Sequence, residues 1–243
     1  MNRNLENSSE QILRAASRII IALLMGFFVL GVSTSAAFAI SRKYPALIQS
    51  LPLGQGFVIQ SALLVTSVLL ILALGKGALS NYGFRLSKDL RFSQIIIIGL
   101  IVGIVSSLAE SIVPGEIPND FADTSFIDIV IGVWILASIA EELLTRGLIQ
   151  GFLAPLIKFG FSFKGFRISI PVLISSLFFG LMHLGLLSAG ADFSPVAMTV
   201  IFAFILGIIA GYYRERSGSL IPAVVIHICG NIGAWLPGAI FQL

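Results

Sequence analysis

The stretch Ile127-Asp-Ile-Val-Ile-Gly-Val-Trp-Ile-Leu-Ala-Ser-Ile-Ala140 runs directly into Glu141-Glu142-Leu-Leu-Thr-Arg146-Gly147. Apart from Asp128 its apolar part carries no charge, and it is too long for a barrel strand, which needs only about ten residues of alternating polarity. Read as a helix, it crosses a bilayer and carries three ionisable side chains into hydrocarbon. Two further apolar runs, Ile95 to Val105 and Val196 to Ile209, are helical on the same ground of length. The expected fold is therefore all-α, a polytopic transmembrane helical bundle.

Composition agrees. Of 243 residues, 57% are hydrophobic and 11% charged, and the mean hydropathy is +1.01. Soluble domains carry about 25% charged residues, so a soluble globular protein is excluded. At roughly 20 residues per span, the chain holds about seven spans: 17–40, 56–76, 93–113, 127–153, 169–188, 195–213 and 218–236. The tail from Leu236 to Leu243 reads as a last apolar turn or the stub of an eighth. The single cysteine, Cys229, excludes an internal disulfide and a thiolate metal cluster. No phosphate loop or nucleic-acid motif is present, and no nucleic-acid partner is expected.

Between spans the cations alternate. Arg3, Arg14 and Arg18, then Lys76, Arg85, Lys88 and Arg91, then Lys158, Lys164 and Arg167, and finally Arg214 and Arg216 fall on one side. Arg42 and Lys43 fall on the other, with Glu116, Asp120, Asp123, Asp128 and Asp192. The positive-inside rule then places the N-terminus in the cytoplasm of a multi-pass protein of the cell membrane. The first span, followed by Ser35-Ala36-Ala37-Phe38-Ala39, has a signal-like outline, but its apolar stretch is long for a signal.

Ionisable groups are expensive in a membrane and usually face a cavity or each other. Glu142 and Arg146 are four apart, share a helix face and can pair. Glu141 is rotated about 100° away, so it is freer to act as a base in a dry site. The only two histidines, His183 and His227, also lie in apolar spans. His183 follows Phe179 by four residues, and His227 precedes Asn231 by four. Such an asparagine can orient the imidazole or donate to a developing oxyanion. Each group also has a purely structural reading: a buried ion network for Glu142 and Arg146, interhelical hydrogen bonds for the histidines.

In this order, Glu-Glu-x-x-x-Arg, Phe-x-x-x-His and His-x-x-x-Asn resemble the CPBP intramembrane proteases. That family includes the type II CAAX prenyl endopeptidases and bacterial bacteriocin-processing and self-immunity homologues. The resemblance covers about Ile127 to Asn231, and Gly83-Phe84-Arg85 is similar to the family's entry into its core. It implies a single integral membrane domain over 1–243, with a catalytic core over 83–236 behind N-terminal spans (1–76) that match nothing in particular. It further implies that Glu141 and His183 activate a water for attack on a peptide carbonyl. His227 and Asn231 would form the oxyanion site, and Glu142 and Arg146 would support Glu141. The substrate would be a membrane-associated or lipidated peptide reached within the bilayer.

The family has been described both as zinc-dependent and as a metal-free glutamate type. A catalytic zinc takes three protein ligands and a separate base. If Glu141, His183 and His227 were the ligands, the base would be Glu142, which the helix sets against Arg146. Glutamate catalysis without a cofactor is the expectation, with zinc as the alternative. Two other readings compete: a non-enzymatic membrane scaffold or bacteriocin self-immunity protein, and a proton-coupled transporter. A scaffold needs neither the carboxylates nor both histidines. Transporters are commonly built from repeats, and none is present. No oligomeric state is read from the chain.

Overall fold

The computed structural model describes residues 2–87, 91–117, 124–163 and 165–241. Lys88, Asp120, Asp123 and Lys164, counted in the charge alternation, lie outside the described residues. Seven long helical segments follow one another: α1 (Asn2–Lys43), α2 (Gln55–Gly75), α3 (Phe92–Glu110), α4 (126–152), α5 (Ile170–Met182), α6 (Phe193–Ser217) and α7 (Ile221–Phe241). A short antiparallel hairpin, β1 (Gly160–Phe163) and β2 (Phe166–Ser169), connects α4 to α5. Among the described residues six helical stretches are long and apolar enough to cross a membrane, the one that begins with α5 continuing through a short further helix to Ser188.

The seventh, α4, contains the stretch that runs into the two glutamates, and it is not one uniform helix. It alternates between α and π registers, with π-helix over Val130–Ala137 and Leu143–Ile149 and an α turn, Ser138–Glu142, between them. Most π segments are single-turn bulges and many mark functional sites. Here the register changes bracket the two glutamates.

Burial is inverted relative to a soluble protein. Arg146 and Glu142 are 0% exposed, whereas Leu69 and Ile97 are 59% and 55% exposed. This is the pattern of a bundle whose surroundings are hydrocarbon; the protein is an integral membrane protein. Two apolar cores form inside it. One joins α1, α2, α4 and α5 around Leu63, Leu144 and Phe178; the other joins α3, α5, α6 and α7 around Ile95, Phe179 and Ile226. The neighbours Phe178 and Phe179 thus point from α5 into different cores, and the buried charges lie at the seam.

Small residues set the helix spacing, as expected where lipid supplies no hydrophobic drive. A Cβ added at Gly99 would lie 2.5 Å from the Ile226 carbonyl, and one at Gly103 would strike the Gly230 carbonyl. The backbones of α3 and α7 therefore touch where α7 carries His227 and Asn231. At the other end of this packing, Trp134 of α4 and Trp235 of α7 meet edge-on at 5.7 Å, with Phe126 against both.

The sixth span is one turn longer than its charges suggested. Arg214 and Arg216 belong to the last turn of α6, which closes at Gly218 (φ 66°), whose N–H donates to the Arg214 carbonyl. Such a left-handed cap suits glycine.

Candidate active site

Four of the six residues singled out from the sequence meet in one buried cluster. The Arg146 guanidinium donates from Nη1 to Glu142 Oε1 at 2.9 Å, the pairing expected from their spacing. The same oxygen accepts from His227 Nδ1 at 3.0 Å, across 85 residues of chain. A carboxylate oxygen only accepts, so His227 donates from Nδ1 and turns Nε2 the other way. Nε2 faces Glu141, 3.8 Å from its Oε2. That separation is too long for a direct hydrogen bond, and a water bonded to both atoms would sit to one side of the line between them.

The guanidinium is further held by its surroundings. It stacks on the Phe179 ring at 4.5 Å, and Nη1 also donates to Thr145 Oγ1, whose hydroxyl donates to the Glu141 carbonyl. Gly207 of α6 makes room for it, since a Cβ there would lie 2.7 Å from Arg146 Nη2. Arg146 Nε and Nη2 and Glu142 Oε2 have no hydrogen-bond partner among the described residues. A buried pair with open valences holds its helices in place chiefly through the penalty for separating it.

His183 and Asn231 stand at the edge of this cluster. His183 lies just beyond the end of α5, half-buried, with Nδ1 2.9 Å from the Phe179 carbonyl. A carbonyl can only accept, so Nδ1 bears the proton and Nε2 is a free acceptor, the tautomer a base requires. The Phe179 ring touches both histidines, with centroid separations of 5.2 Å. Asn231 does not orient His227. Its Nδ2 donates instead to Ser138 Oγ at 3.0 Å and to the Val133 carbonyl at 3.3 Å. Asn231 thus fastens α7 to the first π segment, one turn before Glu141, and Glu142 aligns the imidazole.

One partner was not anticipated. Gln60, in the second turn of α2, donates from Nε2 to Glu141 Oε1 at 2.8 Å, while its own buried Oε1 has no partner among the described residues. The signal was present: beyond the first residue of α2, Gln60 is the one carboxamide in a span without charge, and such groups in membranes usually bond another helix. Glu141 is therefore tied by one oxygen and open at the other.

The cluster lies nearer the cation-rich face. At 1.5 Å per residue, Glu141 is roughly 16 Å from the Phe152 end of α4 and His227 about 9 Å from the Ile221 start of α7, whereas His183 is about 20 Å from the start of α5. This offset bears on a metal. Among the described residues no three His, Cys, Asp or Glu side chains converge closely enough to hold an ion. As folded, Glu141 and His227 adjoin but His183 does not complete a three-ligand sphere of the kind a catalytic zinc takes.

Residues 123–233 match the family model described as type II CAAX prenyl endopeptidase Rce1-like. No curated protein and no solved structure matches the chain.

Proposed function

We propose that this chain, whose residues 123–233 match the family model described as type II CAAX prenyl endopeptidase Rce1-like, hydrolyses a peptide bond of a membrane-associated or lipidated peptide, with Glu141 as general base. The observation that supports this most is the open oxygen of Glu141 facing His227 Nε2 across 3.8 Å inside a lipid-embedded bundle. A water bonded to both gives one proton to Glu141 Oε2 while its oxygen attacks the carbonyl carbon. The tetrahedral oxyanion then lies beside His227, which donates to it only once Nε2 has itself gained a proton. Glu141 then passes its proton to the departing amine as the C–N bond breaks, and the second proton of the water, left on the new carboxyl group, moves to the amine, so that a carboxylate and an ammonium leave. Exclusion of bulk water strengthens every charge interaction in these steps.

The other residues have supporting roles in this reading. Glu142 and Arg146 fix the imidazole. His183, with Nε2 free, assists the water or the leaving group. Asn231 holds the turn that carries Glu141 and reaches the oxyanion only by releasing Ser138. No metal step is part of this reading. Purified protein should contain substoichiometric zinc, and a strong chelator should leave cleavage intact. Stoichiometric zinc whose removal abolishes activity would reverse this assignment, whereas inhibition by added zinc would not, since histidine and carboxylate pairs bind metal adventitiously.

Gln60 gives a second test. Hydrogen bonds to charged groups contribute about 1.5–3 kcal/mol, so Gln60→Leu should lower kcat by roughly ten- to a hundredfold while leaving KM nearly unchanged. Gln60→Glu, which sets a second carboxylate against Glu141, should be worse. A Gln60→Leu enzyme with wild-type kcat would remove Gln60 from the site.

The same reading sets the N-terminus in the cytoplasm of the cell membrane. Single cysteines at Lys76 and Asp192, on a Cys229→Ala background, should label from opposite sides with an impermeant reagent. Labelling of both from one side would refute that topology.

A further inference from the structure

A cleft with a basic and aromatic lining lies away from the glutamates. It has a volume of about 750 Å³ and opens on the cation-rich face, between the start of α3, the end of α6 and the β hairpin. Arg85, Arg91 and Arg216 line it together with Phe166, Tyr212 and Tyr213. None of its described lining residues is acidic. Arg216 donates from Nη1 to the Tyr212 hydroxyl at 3.0 Å, and Arg85 donates from Nε to the Gly218 carbonyl at 2.9 Å. Each is thereby aligned with donors left over. Arg91, exposed at the first turn of α3, has no carboxylate partner among the described residues. The aromatic rings form a continuous wall, Phe166 to Tyr212 at 6.0 Å and Tyr212 to Tyr213 at 5.6 Å.

Three arginines lining one cleft with no carboxylate among its described lining residues call for an anion, and the fork geometry of arginine matches phosphate oxygens two at a time. The place selects which phosphate. The cleft lies at the ends of helices that cross the membrane, at the level where tyrosine rings and arginines meet headgroups. Basic pockets between transmembrane helices on this side are suited to anionic lipid headgroups. Along α6, Tyr213 is about 9 Å from Gly207, the residue that makes room for Arg146. The cleft is thus separate from the glutamate cluster and shares a helix with it.

We propose that this cleft binds the phosphate of an anionic phospholipid headgroup, with Arg91 and Arg216 as its chief ligands and the Phe166–Tyr212–Tyr213 wall against the glycerol and upper acyl region. The proposal does not depend on the catalytic reading.

The test is thermal unfolding of the full-length protein in a neutral detergent, titrated separately with phosphatidylglycerol, phosphatidylcholine and inorganic phosphate. Phosphatidylglycerol should raise Tm saturably and phosphatidylcholine should not. Arg91→Ala and Arg216→Ala should each weaken the apparent affinity for phosphatidylglycerol at least tenfold, with Arg216→Lys intermediate. Lys76→Ala, on the same face but outside the cleft, should leave it unchanged. Both arginine positions are exposed, so these variants should fold, and an unaltered Tm without lipid verifies that. Equal stabilisation by phosphatidylcholine, or phosphatidylglycerol binding indifferent to both arginine variants, would overturn the proposal. Inorganic phosphate matching phosphatidylglycerol at equal concentration would overturn the lipid as source and leave a phosphate site.

Discussion

Glu142→Ala should be the most destabilising single change in this cluster. The wild-type carboxylate is fully buried and accepts from both Arg146 and His227 through one oxygen. Its removal leaves a guanidinium in the interior with no counter-charge and an imidazole N–H with no acceptor. Breaking a buried pair from one side costs about 3–5 kcal/mol in soluble proteins, which for a chain of this size is a fall in Tm on the order of 10 °C. The double variant Glu142→Gln with Arg146→Met should regain much of that loss. It removes both charges, and the glutamine carbonyl still accepts from His227 Nδ1. Thermal unfolding of the purified variants in detergent measures the difference. A Glu142→Ala protein as stable as wild type would mean that Glu142 neither neutralises Arg146 to any effect nor holds α4 to α7 through His227.

Glu141→Gln should do the opposite, abolishing cleavage and sparing the fold. The substitution keeps shape, and its carbonyl can still accept the Gln60 hydrogen bond that Glu141 Oε1 receives at 2.8 Å. What it removes is the oxygen able to take a proton. Loss of a positioned general base lowers rate by about 10²–10⁴, so activity should fall by at least that range while Tm stays within a degree or two of wild type. If Glu141→Gln is the strongly destabilised protein and Glu142→Ala is merely inactive, the base and its support are assigned in reverse.

The contrast between these glutamates is legible in the sequence because it rests on local geometry. Residues four apart share a face in any helix, so the pairing of Glu142 with Arg146 follows from their spacing alone. The rest of the cluster depends on contacts between helices, which spacing does not encode. His227 and Asn231 also lie four apart, yet the imidazole bonds Glu142 on another helix and the carboxamide bonds Ser138 and Val133. The same local rule therefore identifies one partner and misses the other. Gln60 is harder still to assign, since it lies in a span whose sequence matches no motif and its role exists only once α2 packs against α4. The number and class of the spans follow from apolar run length alone. The alternation of α and π registers in α4 does not, because an apolar run looks alike in either. The end of α6 is misplaced by its charges because Arg214 and Arg216 read as loop, whereas Gly218 closes the helix one turn later.

The central claim is that this membrane bundle cuts peptides and that Glu141 activates the water. It is tested most directly with purified protein in lipid vesicles. The substrates are membrane-anchored peptides that carry or lack a prenylated cysteine near the C-terminus, with products identified by mass spectrometry. The account predicts a new C-terminus formed by wild type and none formed by folded Glu141→Gln. Folded wild type that cuts no peptide in the set, or a Glu141→Gln protein that cuts as fast as wild type, would contradict it.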